Sequence, residues 1–332
     1  MSKEDFYSLT PDLVLKAAED AGFVPTGRLQ QLNSYENRVF ELFLEKDTYP
    51  QSFDRIIAKF YRPGRWDQAT IAEEHEFLSD LHHEGLPVVA AIKTKHGTIG
   101  KHKGMFCAFF PKAPARMLDE IPRDQFKILG ALLAQLHNVG AQKKAHHRPT
   151  LAPTPYGEDD LVILQDVIFP DLYDRYMDAT LRLFDWFDDN NGGVSMFRIH
   201  GDCHRGNILR AALPDDLSPF YFVDFDDFVT GPAVHDFWML LSGDPGVDET
   251  AKDELTDLIE GYSRFRSFNQ DEVKLIPALR ALRIVHYSAW ISQRWEDPSF
   301  PLIFPQFKDF NYWAREVEAL EKAVSICRQL PG

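Results

Sequence analysis

Cysteine is scarce in this chain, long apolar runs are missing, and basic residues are outnumbered. The three cysteines among 332 residues, Cys107, Cys203 and Cys327, are odd in number, widely spaced and without metal-ligand spacing, which excludes a disulfide framework and suits a reducing cytoplasm. Cys203 reads as a small space-filling side chain. No apolar run reaches transmembrane length, and Met1-Ser2-Lys3-Glu4-Asp5-Phe6 lacks the apolar stretch of a signal peptide, so a cytoplasmic protein without a membrane partner is expected. Thirty-six basic residues stand against fifty-one acidic ones, a formal charge of −15 that disfavours nucleic acid as a partner. No internal repeat or low-complexity tract is present. At 44% hydrophobic content the chain can bury a substantial core, divided between two lobes.

What is present is concentrated around residue 200. His200-Gly201-Asp202-Cys203-His204-Arg205-Gly206-Asn207 is followed by Ile208-Leu209, by the turn-rich stretch 211–219, and by the aromatic strand Phe220-Tyr221-Phe222-Val223 that ends at Asp224. Phosphoryl transfer needs a carboxylate beside the incoming hydroxyl and oxygen ligands for Mg²⁺. Asp202 and Asn207 stand five residues apart, the spacing of a kinase catalytic loop, and Asp224 follows at the end of a short hairpin. Two plainer readings compete. His200, Asp202 and His204 form an H-x-D-x-H pattern that could meet zinc, although it gives Asn207 and Asp224 no part. Asp226 and Asp227 read equally well as a solvated acidic turn.

Upstream, Arg55-Ile56-Ile57-Ala58-Lys59-Phe60-Tyr61 places a lysine at the end of a β-branched run, as in the strand whose lysine contacts nucleotide phosphates. The next helical stretch, from Asp67 to Leu81, offers a partner acid. Ile71, His75 and Leu78 share one side, and Glu74 lies beside them, which favours Glu74 over Glu73. Solvent exposure of all these glutamates is the plainer alternative.

Several strings together resemble the stress response kinase A family, within the aminoglycoside-phosphotransferase-like branch of the protein-kinase-like fold. They are Leu32-Asn33-Ser34-Tyr35-Glu36-Asn37-Arg38-Val39, Lys59-Phe60-Tyr61-Arg62-Pro63 with Arg65-Trp66, Glu73-Glu74-His75, the catalytic-loop string, Gly231-Pro232-Ala233-Val234 with Asp236 and Trp238-Met239-Leu240-Leu241, and Arg294-Trp295. The resemblance spans nearly the whole chain. It implies an α+β, two-lobed fold with a small β-rich N-lobe at 1–110, which binds nucleotide, and a larger helical C-lobe at 111–332. It also implies an ATP- and Mg²⁺-dependent bacterial serine/threonine protein kinase of the stress response, monomeric and cytoplasmic. In that frame Asp202 accepts the hydroxyl proton, Asn207 and Asp224 bind Mg²⁺, Ser34 touches ATP, and Lys59 with Glu74 forms the phosphate-orienting pair. His200 and Asp236 brace the catalytic loop, and the backbone of residues 109–112 meets adenine.

Departures from an ordinary protein kinase bear on the acceptor. The turn at 33–38 has no glycine and cannot be a G-x-G-x-x-G flap. Asp224 is followed by Phe225-Asp226 rather than Phe-Gly, no A-P-E string follows, and too few residues separate Asp224 from Gly231-Pro232 for an activation loop. A small-molecule phosphotransferase acting on amines, sugars or aminoglycosides, and an ATP-binding regulator, therefore stay open beside the protein kinase.

Elsewhere the chain opens with a helix signal, Thr10 then Pro11, closing at Gly22. Strands are expected at 28–33, 36–45, 53–61, 88–92 and 105–110. Phe126, Leu129, Leu133 and Leu136, the stretch 163–187, and Leu275, Leu279, Leu282, Val285 and Ala289 read as helices. The basic runs at 93–103 and at 143–148 read as solvated surface, with a docking patch as the alternative. His137, His146, His147 and His286 are scattered and do not suggest a metal site.

Overall fold

The computed structural model describes residues 6–7, 9–46, 53–211 and 219–330. The elements in chain order are α1 (Pro11–Ala21), β1 (Pro25–Leu32), β2 (Arg38–Leu44), β3 (Arg55–Phe60), α2 (Gln68–His83), β4 (Gly100–His102), β5 (Met105–Pro111) and β6 (Ala115–Met117). Then come α3 (Phe126–Gly140), α4 (Glu158–Leu164), α5 (Pro170–Asn190), β7 (Phe197–Ile199), β8 (Ile208–Ala211), β9 (Phe220–Phe222) and β10 (Val229–Gly231). Helices α6 (Ala233–Trp238), α7 (Glu249–Tyr262), α8 (Ile276–Gln293), α9 (Ser299–Ile303) and α10 (Phe310–Cys327) complete the chain. An antiparallel sheet followed by a mostly helical remainder is the α+β class expected.

Packing divides the chain into two compact units. The first comprises Met1–Ile121, Ala145–Arg148 and His204–Phe228, and the second comprises Pro122–Lys144, Pro149–Cys203 and Val229–Gly332. The units are therefore not the products of one cut at 110/111. The β8–β9 hairpin joins the first unit because β6 pairs with β8.

In the first unit five antiparallel strands run in the order β1-β2-β3-β5-β4. Their buried face is aliphatic and aromatic, with Phe40, Leu42, Ile56, Ala58, Phe60 and Phe109 packed against Val14, Ala17 and Ala18 of α1. Helix α1 is bounded as its sequence dictates. The Thr10 hydroxyl accepts from the Leu13 N–H at 3.4 Å, Pro11 takes the first turn, and Gly22 closes the helix at φ 103°. The strand expected at 88–92 is not formed. One hydrogen bond, from the Ile92 N–H to the Phe109 carbonyl at 2.7 Å, ties it to β5, which pairs through Met105–Cys107 with β4. The turn-rich connection expected between β8 and β9 falls, for 212–218, outside the described residues.

The second unit is built on helix pairs. Helices α3 and α7 cross so closely that a Cβ on Gly130 would collide with the Leu258 carbonyl, and one on Gly261 with that of Lys127. Leu129, Leu133 and Leu136 of α3, and Leu279, Leu282, Val285 and Ala289 of α8, are buried, as their periodicity requires. The stretch 163–187 is two helices, α4 and α5, broken before Pro170. Among the described residues no helix is long and apolar enough to cross a membrane.

Candidate active site

In the first unit Lys59 lies near the end of β3, between Val39 of β2 and Ala108 of β5, and its side chain is buried. A buried ammonium needs anions, and three carboxylates meet it: Asp226 at 3.0 Å, Glu74 at 3.1 Å and Asp224 at 3.6 Å. Burial works against the Lys59 charge, but Asp226 and Glu74 outweigh it and hold the pKa well above its ordinary value. Glu74 is fixed from behind. The Tyr61 hydroxyl donates to it at 3.3 Å, His75 Nε2 lies 3.0 Å from the same hydroxyl, and His75 Nδ1 lies 2.9 Å from the Thr98 hydroxyl. Burial, with Lys59 and Arg148 nearby, pushes the His75 pKa down to about 3, so the ring is neutral: Nε2–H donates to Tyr61 and Nδ1 accepts from Thr98. Glu73, by contrast, accepts the backbone N–H groups of His146 and His147 at 2.6 and 2.8 Å.

Asp226 is the centre of this cluster and not a solvated turn residue. Its side chain is 3% exposed and accepts from the Asn37 amide at 3.0 Å and from Arg65 at 2.7 Å, while Arg148 donates to its backbone carbonyl. Burial opposes ionisation, but Lys59, Arg65 and Arg148 prevail and hold the carboxyl well below the usual carboxylate range. Arg65 also binds Asp227 and lies 3.5 Å from Glu36. Arg148, in a run that reads as solvated surface, is buried against Trp66 and Phe228 and donates to the Thr70 carbonyl at 3.0 Å.

The hairpin sets Asn207 and Asp224 beside one another. Ile208 pairs with Phe222, and the Val223 N–H donates to the Asn207 carbonyl at 3.0 Å. Asp224 then adopts a left-handed conformation, φ 63° and ψ 66°, uncommon outside glycine and best tolerated by Asn and Asp. This turn carries the chain inward to Asp226 and leaves the Asp224 side chain 53% exposed. An amide and a carboxylate so placed are the hard oxygen donors that suit Mg²⁺. Ser34 is half-buried in the β1–β2 turn, where its hydroxyl accepts the Asn37 N–H at 3.3 Å. The turn is held by Arg62, which reaches the Glu36 and Tyr35 carbonyls at 3.0 and 3.1 Å.

In the second unit the strand β7 runs into the loop bearing Asp202. Asp236, fully buried on α6, accepts the N–H groups of both His200 and Gly201 at 2.9 Å and lies 3.0 Å from His137 Nε2. Because a carboxylate only accepts, His137 donates there from Nε2 and accepts the hydrogen bond of the Tyr262 hydroxyl at Nδ1, 3.0 Å away. Burial resists the Asp236 charge, yet the hydrogen bond from His137 leads the contacts that leave its pKa lowered. His235 donates to the Gly201 carbonyl at 3.0 Å, and the Asp202 N–H reaches His200 Nδ1 at 3.4 Å. Asp202 itself forms an ion pair with Arg283 of α8 at 2.7 Å. The H-x-D-x-H reading finds no support: His204 Nδ1 accepts the Gly206 N–H at 3.0 Å, and the described residues hold no group of three His, Cys, Asp or Glu arranged for a metal.

A family model described as phosphotransferase enzyme family matches residues 28–275. The chain belongs to that family. It is 35% identical to Stress response kinase A of Escherichia coli (strain K12), over 98% of this chain and 96% of that protein. It is 33% identical to the serine/threonine protein kinase RdoA of Salmonella typhimurium, over the same shares. Among solved structures it is similar to the amicoumacin kinase hAmiN in complex with AMP-PNP, Ca²⁺ and Ami, with TM-score 0.71 and 18% identity, covering 97% of this chain and 96% of that one. It is also similar to a microcompartment-associated aminopropanol kinase, with TM-score 0.68 and 16% identity, covering 96% and 97% of the two chains. This phosphotransferase thus has the fold that the antiparallel sheet, the Lys59 strand and the Asp202 loop led one to expect.

Asn37, Arg65, Arg148, Asp226, His137 and Arg283 were not singled out by motif reasoning. Arg65 and Asn37 stand inside strings that resemble the family, which is the one signal that reached them. For Arg148, His137 and Arg283 the decisive fact is a partner 78, 99 or 81 positions away, which no local pattern carries.

Proposed function

We propose that this phosphotransferase is an ATP- and Mg²⁺-dependent serine/threonine protein kinase of the stress response type. The observation that carries the reading is the Lys59–Glu74 pair at 3.1 Å beside Asp224, a preformed arrangement of the kind that orients nucleotide phosphates. The name of the Salmonella relative, a serine/threonine protein kinase, supports the protein acceptor. Lys59 neutralises phosphate oxygens, held in place by Glu74 at 3.1 Å and Asp226 at 3.0 Å. Ser34 contacts ATP. Asn207 and Asp224 hold Mg²⁺, which when bound neutralises charge on the phosphates. Asp202 accepts the proton of the acceptor hydroxyl, and Asp236 with His200 keeps its loop in place. Since phosphoryl transfer asks of the protein mainly position and electrostatics, these fixed charges are what it contributes.

The proposal extends to a monomer working in the cytoplasm on protein, not on nucleic acid or membrane. The test is transfer of labelled γ-phosphate from ATP, in parallel, to generic protein acceptors and to a panel of amines, sugars and aminoglycosides, with Asp202→Asn as control. Label in protein that disappears with the variant supports the kinase. Label only in a small molecule reassigns the acceptor, and no transfer at all with intact ATP binding favours a regulator.

A further inference from the structure

Helix α8 sets three basic side chains in a row at steps of three, Arg280, Arg283 and His286, and each meets a carboxylate. Arg280 lies 3.7 Å from Asp244, Arg283 2.7 Å from Asp202, and His286 2.8 Å from Asp160. The middle pair is the candidate base itself. We propose that Arg283 positions the Asp202 carboxylate and sets the acceptor class, favouring a hydroxyl in an uncharged setting, such as a serine or threonine within a peptide, over a hydroxyl carried beside an ammonium group. This rests on Asp202 being the proton acceptor.

The geometry separates two duties. Asp236 fixes the backbone of the loop through the His200 and Gly201 N–H groups, but neither contact reaches the Asp202 side chain. Arg283 reaches it, from a helix whose neighbouring residues Leu279, Leu282, Val285 and Ala289 are buried. Asp202 is 16% and Arg283 28% exposed, so the pair is partly desolvated and still open to an incoming group. Arginine stays protonated at any working pH, so this ion pair persists throughout the range of an assay. The Arg283 guanidinium carbon lies 5.7 Å from the centre of the Tyr287 ring, which stacks on Trp290 at 5.6 Å, so positions 283, 287 and 290 share one helix face.

The electrostatic consequence follows from neutralisation. A bare carboxylate base attracts a cationic acceptor and helps to bind it. Here the carboxylate already carries a guanidinium, and an ammonium beside the reacting hydroxyl would meet that like charge. The two flanking carboxylates are also engaged, Asp244 by Arg280 at 3.7 Å and Asp160 by His286 at 2.8 Å. A neutral hydroxyl loses nothing by the arrangement.

The full chain would be assayed for kcat and KM with a neutral-flanked serine peptide library and with ammonium-bearing amino alcohols. Wild type, Arg283→Met, Arg283→Lys and Asp202→Asn would be compared, with ATP hydrolysis in water measured alongside. The expected result is that Arg283→Met lowers kcat for the peptides and shifts the peptide-to-amine ratio of kcat/KM towards amines by about tenfold or more, while Arg283→Lys retains most of the wild-type ratio. Both values unchanged in Arg283→Met would overturn the proposal. So would wild-type preference for the amino alcohols, or label in no peptide while ATP hydrolysis still depends on Asp202. Activity surviving in Asp202→Asn would instead overturn the assignment of the base, a separate failure.

Discussion

Lys59 lies closer to Asp226, at 3.0 Å, than to Asp224, at 3.6 Å, so the carboxylate two residues beyond the candidate metal ligand is the one buried against the lysine. Asp224, by contrast, is half exposed. Replacing Asp226 takes from the buried Lys59 its nearest carboxylate and from Arg65 one of the carboxylates that hold it. Asp226→Asn is expected to lower unfolding free energy by roughly 3–5 kcal/mol, the usual cost of breaking one side of a buried ion pair. Asp227→Asn, at a half-exposed position, should cost much less. Chemical denaturation of both variants checks the contrast, and equal losses would remove Asp226 from the centre of the cluster.

Acid sensitivity follows from the same residue. The folded state holds the Asp226 carboxyl well below the usual range, whereas the unfolded chain releases it to about 3.9. Its contribution is therefore complete above that unfolded value and is lost as pH falls through it towards the folded one. Wild type should lose stability more steeply than Asp226→Asn below about pH 4. Parallel slopes of unfolding free energy against pH would refute the assignment.

The nucleotide half of the proposal predicts a division of effects. Lys59→Met and Glu74→Gln should reduce phosphate transfer by on the order of 10²-fold or more. Asp224→Asn and Asn207→Ala should instead raise the Mg²⁺ concentration needed for half-maximal rate. Asp202→Asn should abolish transfer and leave ATP binding near wild type. Titration calorimetry with ATP, with and without Mg²⁺, together with a Mg²⁺ dependence of the rate, separates these outcomes.

The gross plan was legible wherever a pattern is local. Thr10, Pro11 and Gly22 bound α1, the stripe from Leu279 to Ala289 buries itself in α8, and Lys59 stands near the end of a strand that sits inside the sheet. What escaped depends on distant chain. Residues 88–92 have strand composition but meet β5 through the single Ile92–Phe109 hydrogen bond, whereas β4 pairs with Met105–Cys107 through the turn at Lys103-Gly104, with φ of 44° and 81°. Asp226 looks like an acidic turn because its neighbours are acidic. It is buried because Asp224 turns left-handed and because Arg65, Asn37 and Arg148 arrive from three other segments. Composition cannot distinguish a solvated arginine from Arg148, which the carbonyls of Thr70 and Asp226, the Glu74 carboxylate and the rings of Trp66 and Phe228 draw inside.

Glu316 offers a test in which the pH dependence has the opposite sign. It is a largely buried carboxyl on α10, 3.4 Å from the Ser288 hydroxyl, which also lies 2.9 Å from the Tyr312 hydroxyl. Burial raises its pKa to about 7. The folded state therefore holds the proton more tightly than the unfolded chain, and stability falls as pH rises from about 4.3 towards the folded value, then levels off. Glu316→Gln keeps a polar partner for Ser288 without a charge to bury. Expected is no gain near pH 4 and a gain of up to roughly 3 kcal/mol above pH 8, an upper figure because some solvent reaches the group. Thermal unfolding of the two proteins across this range reads the difference directly. A constant offset at every pH would mean that the carboxyl does not titrate between the folded and unfolded states, and that the three hydroxyl and carboxyl groups are held together by packing alone.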